Sequence, residues 1–258
     1  MRHFFFSPRP HKLRNAALIV GALTLAPVAQ ADIDWSSADW GGFSPNSLSY
    51  WSHSDSMRSH QIEQSRARSG RGPSAKPAPK KNPESALSTA SNVFPTGEFR
   101  DGGGLDALAR MYPREQFFER KKQYRQIVQG FNQSVQKLYG VPPNNLATGM
   151  TVVLAGAYSA YQNKSFPDTW VKPLYQQMEG LLLKDPRLMQ RSEADKATDY
   201  QVMVGAGMAM MLAQSELEKS PNPAGLKKLR DTGADALRTL FQAAPETVEF
   251  SPSGLRVR

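Results

Sequence analysis

Residues 146–161, LATGMTVVLAGAYSAY, hold no charged side chain, and how they are read decides the fold. Asn144 or Asn145 precedes them as an N-cap whose side-chain oxygen takes the first free amides, so a helix starts here and runs to about Gln162. A helix that is apolar on all sides must be surrounded, by protein or by lipid. The uncharged run falls short of the roughly 20 residues that a membrane span requires, which puts it at the centre of a bundle. A second uncharged run, Val202 to Ala213, is shorter still. It belongs to a helix capped by Ser192, with Asp195 at the third helical position as an acidic variant of the capping box, running to about Lys219. Small residues recur every four positions in both runs, as Ala147, Thr151, Ala155 and Ser159 in one and Gly205, Ala209 and Ala213 in the other. Such ridges predict direct packing of the two helices.

Amphipathic helices surround this pair. From Pro113 the side chains Phe117, Tyr124, Phe131 and Leu138 recur every seven residues, with Val128 and Val135 on the same stripe. Arg120, Lys121, Lys122 and Arg125 are expected on the water side, and Gly140 with Pro142-Pro143 stops the helix. A helix within Asp168 to Lys184 turns Leu174, Met178, Leu181 and Leu182 inward; Pro173 is expected to delay its start, and Asp185-Pro186 ends it. Beyond Pro221-Asn222-Pro223, a helix from about Ala224 to Ala243 carries Leu226, Leu229, Leu237, Leu240 and Phe241 on one stripe. The tail alternates weakly at Val248, Phe250, Leu255 and Val257, as for a segment lying extended across the bundle. The fold class is therefore all-α, a single bundle of about five helices over residues 105–258, large enough for its own core.

Residues 1–31 read as a cleaved signal peptide. Arg2, Arg9, Lys12 and Arg14 precede the apolar run Ala16 to Ala26, and Ala29-Gln30-Ala31 supplies small residues before Asp32. There is no twin-arginine pair, and no cysteine follows the apolar run, so the expected product is periplasmic or secreted and not a lipoprotein. The signal peptide holds four of the 32 basic residues and none of the 23 acidic ones, so the mature charge falls from +9 to +5. That modest excess, with no base-stacking platform beside the basic cluster at 120–125, argues against nucleic acid as a partner.

Residues 32–104 are rich in Ser, Gly, Pro and charge and read as a disordered arm. Its first part carries Trp35, Trp40, Phe43, Tyr50 and Trp51 among small polar residues, and Arg58 to Lys81 has seven basic residues against Glu63 alone. The tryptophans are candidate anchors for a partner, and the basic run suits an anionic cell-surface polymer.

The chain has no cysteine, and its four histidines are His3, His11, His53 and His60. The bundle therefore lacks the parts for a Ser-His-Asp or Cys-His nucleophile and for a His or Cys metal site. Met203, Met208, Met210 and Met211 invite a thioether copper site, but without a His or Cys among them they read as core filling. The carboxylate pairs Glu115/Glu119, Asp195/Asp199 and Asp231/Asp235 have helical spacing; helix starts and i,i+4 ion pairs account for them better than acid–base catalysis does. Tyr158, Tyr161, Phe166, Trp170 and Tyr175 crowd the end of the central helix, where aromatic anchors line a groove or plug a bundle end. The candidate binding residues are thus Trp35, Trp40, Trp51, Tyr158, Tyr161 and Trp170; no catalytic residue, metal or cofactor is assigned.

The junction Tyr139-Gly-Val-Pro-Pro-Asn-Asn-Leu-Ala-Thr-Gly-Met, continuing to Tyr158, resembles that of a family of exported bacterial helical domains of unknown function. The Ser192 helix and the closing Pro-Glu-Thr-Val-Glu-Phe-Ser-Pro-Ser-Gly-Leu are similar as well. The resemblance covers residues 111–257 and implies an exported all-helical fold, with no catalytic set to carry over. Three functional classes follow: a non-catalytic binding or accessory module of the bacterial cell envelope, bound to an envelope protein or anionic polymer; a carboxylate-dependent hydrolase of cell-wall glycan; and a membrane-active or antagonistic secreted protein.

Overall fold

The structure is a computed structural model that describes residues 96, 97 and 99–258. The signal peptide, the basic stretch and Trp35, Trp40 and Trp51 lie outside the described residues. In chain order the elements are α1 (Gly103–Ala109), a 3-10 turn (Arg114–Gln116), α2 (Phe117–Tyr139), α3 (Leu146–Gln162), α4 (Asp168–Leu182), α5 (Pro186–Met189), α6 (Glu193–Lys219), α7 (Pro223–Phe241), a second 3-10 turn (Pro245–Thr247), β1 (Val248–Ser251) and β2 (Gly254–Val257).

The helix ends follow from their caps. Asn145 accepts from the amides of Ala147 and Thr148, Ser192 from Asp195, and Asn222 from Ala224 and Gly225. Each satisfies amides that have no partner within the helix. Gly140 closes α2 at φ 65°, a left-handed turn that a residue without Cβ adopts freely, and its amide bonds back to Gln136.

α3 is the axis of the bundle. Every residue from Leu146 through Ala157 is buried, with α6, α7 and α4 packed around it, while α1 bridges α2 and α6. No helix among the described residues is long and apolar enough to cross a membrane. The approach of α3 and α6 is closest at Gly156 and Gly207. A Cβ on Gly156 would stand 2.4 Å from the Gly207 carbonyl oxygen, and one on Gly207 would stand 2.4 Å from that of Val152. Gly233 lets α7 approach in the same way, since its Cβ would meet the Ala157 carbonyl oxygen at 2.7 Å.

The helix pair is the one the small residues predict, but the ridge is another. Gly205 faces Leu108 and Tyr124 instead of α3, because Gly207 lies 200° further round the helix and carries the contact. The basic face of α2 also differs from expectation. Arg120 is buried, with its guanidinium 4.3 Å from the ring centroid of Tyr112 and hydrogen bonds to Gln116 and Gln123, so stacking and side-chain amides replace water. At the other end of the stripe, Leu138 is 39% exposed. Pro173 sits inside α4 without delaying it: the carbonyl it fails to bond is that of exposed Thr169 in the first turn, where water serves.

The tail folds on itself. β1 and β2 form an antiparallel hairpin that pairs Phe250 with Leu255 and Val248 with Val257, so the weak alternation belonged to two short strands. The hairpin is attached by an amide that imitates a strand: Gln177 on α4 donates to the Leu255 carbonyl at 2.7 Å and accepts from the Leu255 amide at 2.6 Å.

Gly180, inside α4, has no atom within 4 Å of a built Cβ and no positive φ. Gly180→Ala is expected to stabilise the fold by about 0.5–1 kcal/mol by removing backbone freedom from the unfolded chain, seen as a higher urea midpoint at unchanged slope.

Candidate functional site

Between α2, α3 and α6 lies an apolar groove open to solvent, whose lining also takes in Phe166 and Val171. The seven-residue spacing of α2 brings Phe131, Leu138 and, one helical turn from each, Val135 to its wall. α3 contributes Thr148, Thr151, Val152 and Ala155, and α6 contributes Met208 and Met211. Both methionines have flexible, polarisable side chains suited to a wall that must adapt to what lies against it.

The hydroxyls in this wall are turned away from it. Ser134 donates to the Gly130 carbonyl at 2.8 Å, Thr148 to Pro142 at 2.6 Å and Thr151 to Ala147 at 2.8 Å, so these residues present methyl and methylene groups. The remaining polar group of the lining is the Tyr139 hydroxyl, 3.5 Å from an Asp168 carboxylate oxygen. Burial and that carboxylate push the tyrosine well above its usual range. Burial also raises the Asp168 carboxyl, against the opposing hydrogen bond from Tyr139. No carboxylate or ammonium side chain belongs to the lining, and Tyr139 is its one titratable group.

One lining residue, Phe166, belongs to an aromatic cluster. Tyr158, Phe166, Trp170 and Phe250 meet edge to face, with ring centroids 5.2 Å apart for Tyr158 and Phe250 and 5.9 Å for Phe166 and Trp170. Phe250 arrives from the hairpin held by Gln177, so strand and helix residues fill one another's gaps. Of the candidate residues, this cluster unites Tyr158 and Trp170. Tyr161 lies apart: its hydroxyl donates to Glu246 at 3.0 Å and Arg230 stands 5.3 Å from its ring centroid. Tyr175 is buried and donates to Glu179 at 2.5 Å.

The carboxylate pairs do not converge on the groove. Asp231 pairs with Lys227 and Asp235 with Arg238, each at 2.6 Å and exposed. Asp195 takes the Ser192 hydroxyl at 2.7 Å, while Asp199 pairs with Arg191. Burial raises the Asp199 carboxyl, and Arg191 works against the shift. Glu115 and Glu119 are exposed. Among the described residues no three His, Cys, Asp or Glu side chains gather as metal ligands.

The groove itself was missed from the sequence. Its signals were present in Leu138, which extends the α2 stripe past the core, and in Met208 and Met211, which share a face of α6. The family model described as "Family of unknown function (DUF6683)" matches residues 14–258, a span that takes in the segment ahead of the bundle as well as the bundle. No curated protein matches the chain, and no solved structure does.

Proposed function

The chain belongs to this family of unknown function, DUF6683, and we propose that it is an exported, non-catalytic binding module of the bacterial cell envelope whose bundle holds an apolar ligand or partner segment in the α2–α3–α6 groove. The observation that carries this reading is the back-bonding of Ser134, Thr148 and Thr151. A catalytic cleft aims polar groups at its substrate, whereas this wall satisfies its own and offers only apolar surface. Export rests on the leader pattern of residues 1–31, and the tryptophans Trp35, Trp40 and Trp51 with the basic run give the arm a role in meeting an envelope protein or anionic polymer.

The test uses the neutral fluorophore N-phenylnaphthylamine on the full chain. Saturable binding is expected, weakened about tenfold by Leu138→Glu and by Met211→Glu, each of which brings a charge to the wall at a cost of about 1.4 kcal/mol or more. Unsaturable fluorescence, equal in all three proteins, would remove the groove from consideration.

A further inference from the structure

The described fold begins beside the groove. Thr96 is 5% exposed and its amide donates to the Asn144 carbonyl at 2.9 Å, within the loop that joins α2 to α3. In the same loop Val141 lines the groove, and Pro142 accepts the hydroxyl of Thr148, another lining residue. The chain ahead of residue 96 therefore starts about three residues from the groove's edge.

Reach and charge select which part of that chain fits. The wall from Thr148 to Ala155 runs about 10 Å along α3 at 1.5 Å per residue, and the step from Asn144 to Val141 adds roughly 10 Å. Nine extended residues cover about 30 Å, so the stretch from Thr96 back to Leu87 spans the distance with length to spare. Residues 85–95, SALSTASNVFP, carry no ionisable side chain, and their apolar members are led by Leu87, Val93 and Phe94. The wall carries no ammonium or carboxylate either, so neither side leaves a charge unpaired on contact. By contrast, Arg58 to Lys81 would bring seven cations to a surface with no partner for them. The tryptophan segment ends at Trp51, 45 residues upstream of Thr96, where the longer loop costs more to close.

We propose that residues 85–95 of this chain are the resident occupant of the groove, anchored by Leu87, Val93 and Phe94, and that an external ligand binds by displacing them. This rests on the reading of the groove as a binding site. A tethered occupant that fills the groove in about nine molecules of ten lowers the apparent affinity for a competitor about tenfold.

The experiment compares N-phenylnaphthylamine binding to the full chain, to Val93→Glu/Phe94→Glu, and to each with Leu138→Glu added. The double variant is expected to bind about tenfold more tightly, and Leu138→Glu is expected to abolish the gain. Equal affinity with and without Val93→Glu/Phe94→Glu, still sensitive to Leu138→Glu, would overturn the self-occupancy and leave the groove standing. Binding insensitive to Leu138→Glu in both backgrounds would overturn the groove and the occupant together. In a second measurement p-benzoylphenylalanine replaces Leu138 and the photoproducts are mapped. Attachment to residues 85–95 of the same chain is expected, and attachment between two copies or to another ligand in the purified protein would overturn the assignment.

Discussion

Gly207→Ala is expected to destabilise the protein by about 3 kcal/mol, near the upper end of what adding one methyl group does to a packed interior. The added Cβ would lie 2.4 Å from the Val152 carbonyl oxygen and 2.8 Å from the Val153 Cα, both backbone atoms of the central helix. No rotamer change relieves such a contact; α3 and α6 must separate. Gly156→Ala meets Gly207 across the same seam and is expected to behave alike. Gly205→Ala is the internal control, because its nearest atom, also at 2.4 Å, is a methyl carbon of Leu108 that can swing aside, and about 1 kcal/mol is expected. Urea unfolding of the three variants checks the ranking, and a Gly207→Ala protein as stable as wild type would refute the seam. The seam also governs the groove, since Val152 and Met208, adjacent to these contacts in sequence, line its wall. A variant that folds with the helices forced apart should therefore bind the fluorophore with altered affinity.

The second large effect is alkaline unfolding. Tyr124, Tyr175 and Tyr200 are buried, and burial pushes all three phenols above their ordinary value near 10. The hydroxyl of Tyr112 adds to the shift at Tyr124, as Glu179 does at Tyr175, while Tyr200 donates to Asn132. Below pH 10 the folded and unfolded chains hold the same phenol protons, so these groups contribute no pH dependence there. Above it the unfolded chain loses protons that the folded chain keeps, and stability falls as pH rises through the unfolded value. Each phenol contributes about 1.4 kcal/mol per pH unit while it is ionised in the unfolded chain alone, so three give roughly 4 kcal/mol for each unit above pH 10. That rivals the 5–15 kcal/mol of a typical domain, and cooperative unfolding is expected in that range. Tyrosinate absorbance should rise in a single step with loss of helical circular dichroism. Tyr175→Phe and Tyr200→Phe should each reduce the pH slope by about one proton. Gradual ionisation of all tyrosines near pH 10 without unfolding would contradict the burial.

The helical order of the bundle was readable in the sequence because caps and breaks are local. Asn145, Ser192 and Asn222 act on amides two or three residues away, and their identity is enough to assign them. What could not be read depends on distant partners. Arg120 looks like a surface cation until Tyr112 is placed under its guanidinium, and Leu138 looks like core until the helix outruns its neighbours. The choice of Gly207 over Gly205 as the contact with α3 turns on the rotation of α6 about its axis, which spacing alone leaves open because both glycines sit in one uncharged run. The hairpin was concealed by its brevity: four residues per strand give too little alternation to separate from an extended tail. The same logic explains the site. That Tyr158 and Trp170 lie in one aromatic cluster was legible because they are close in sequence, whereas Phe250 joins them from 80 positions beyond Trp170.

The Gln177 side-chain amide meets Leu255 through that residue's peptide atoms alone, so the hairpin is attached without regard to the side chain at 255. During translation and any transport in an unfolded state, Tyr158, Phe166 and Trp170 exist before the strand that covers them. A growing chain that has reached Thr247 holds an uncovered aromatic patch and lacks the Leu255 peptide group that the Gln177 amide binds. Docking of the hairpin, more than formation of any helix, is then the step that withdraws this aromatic surface from chaperones that seek it.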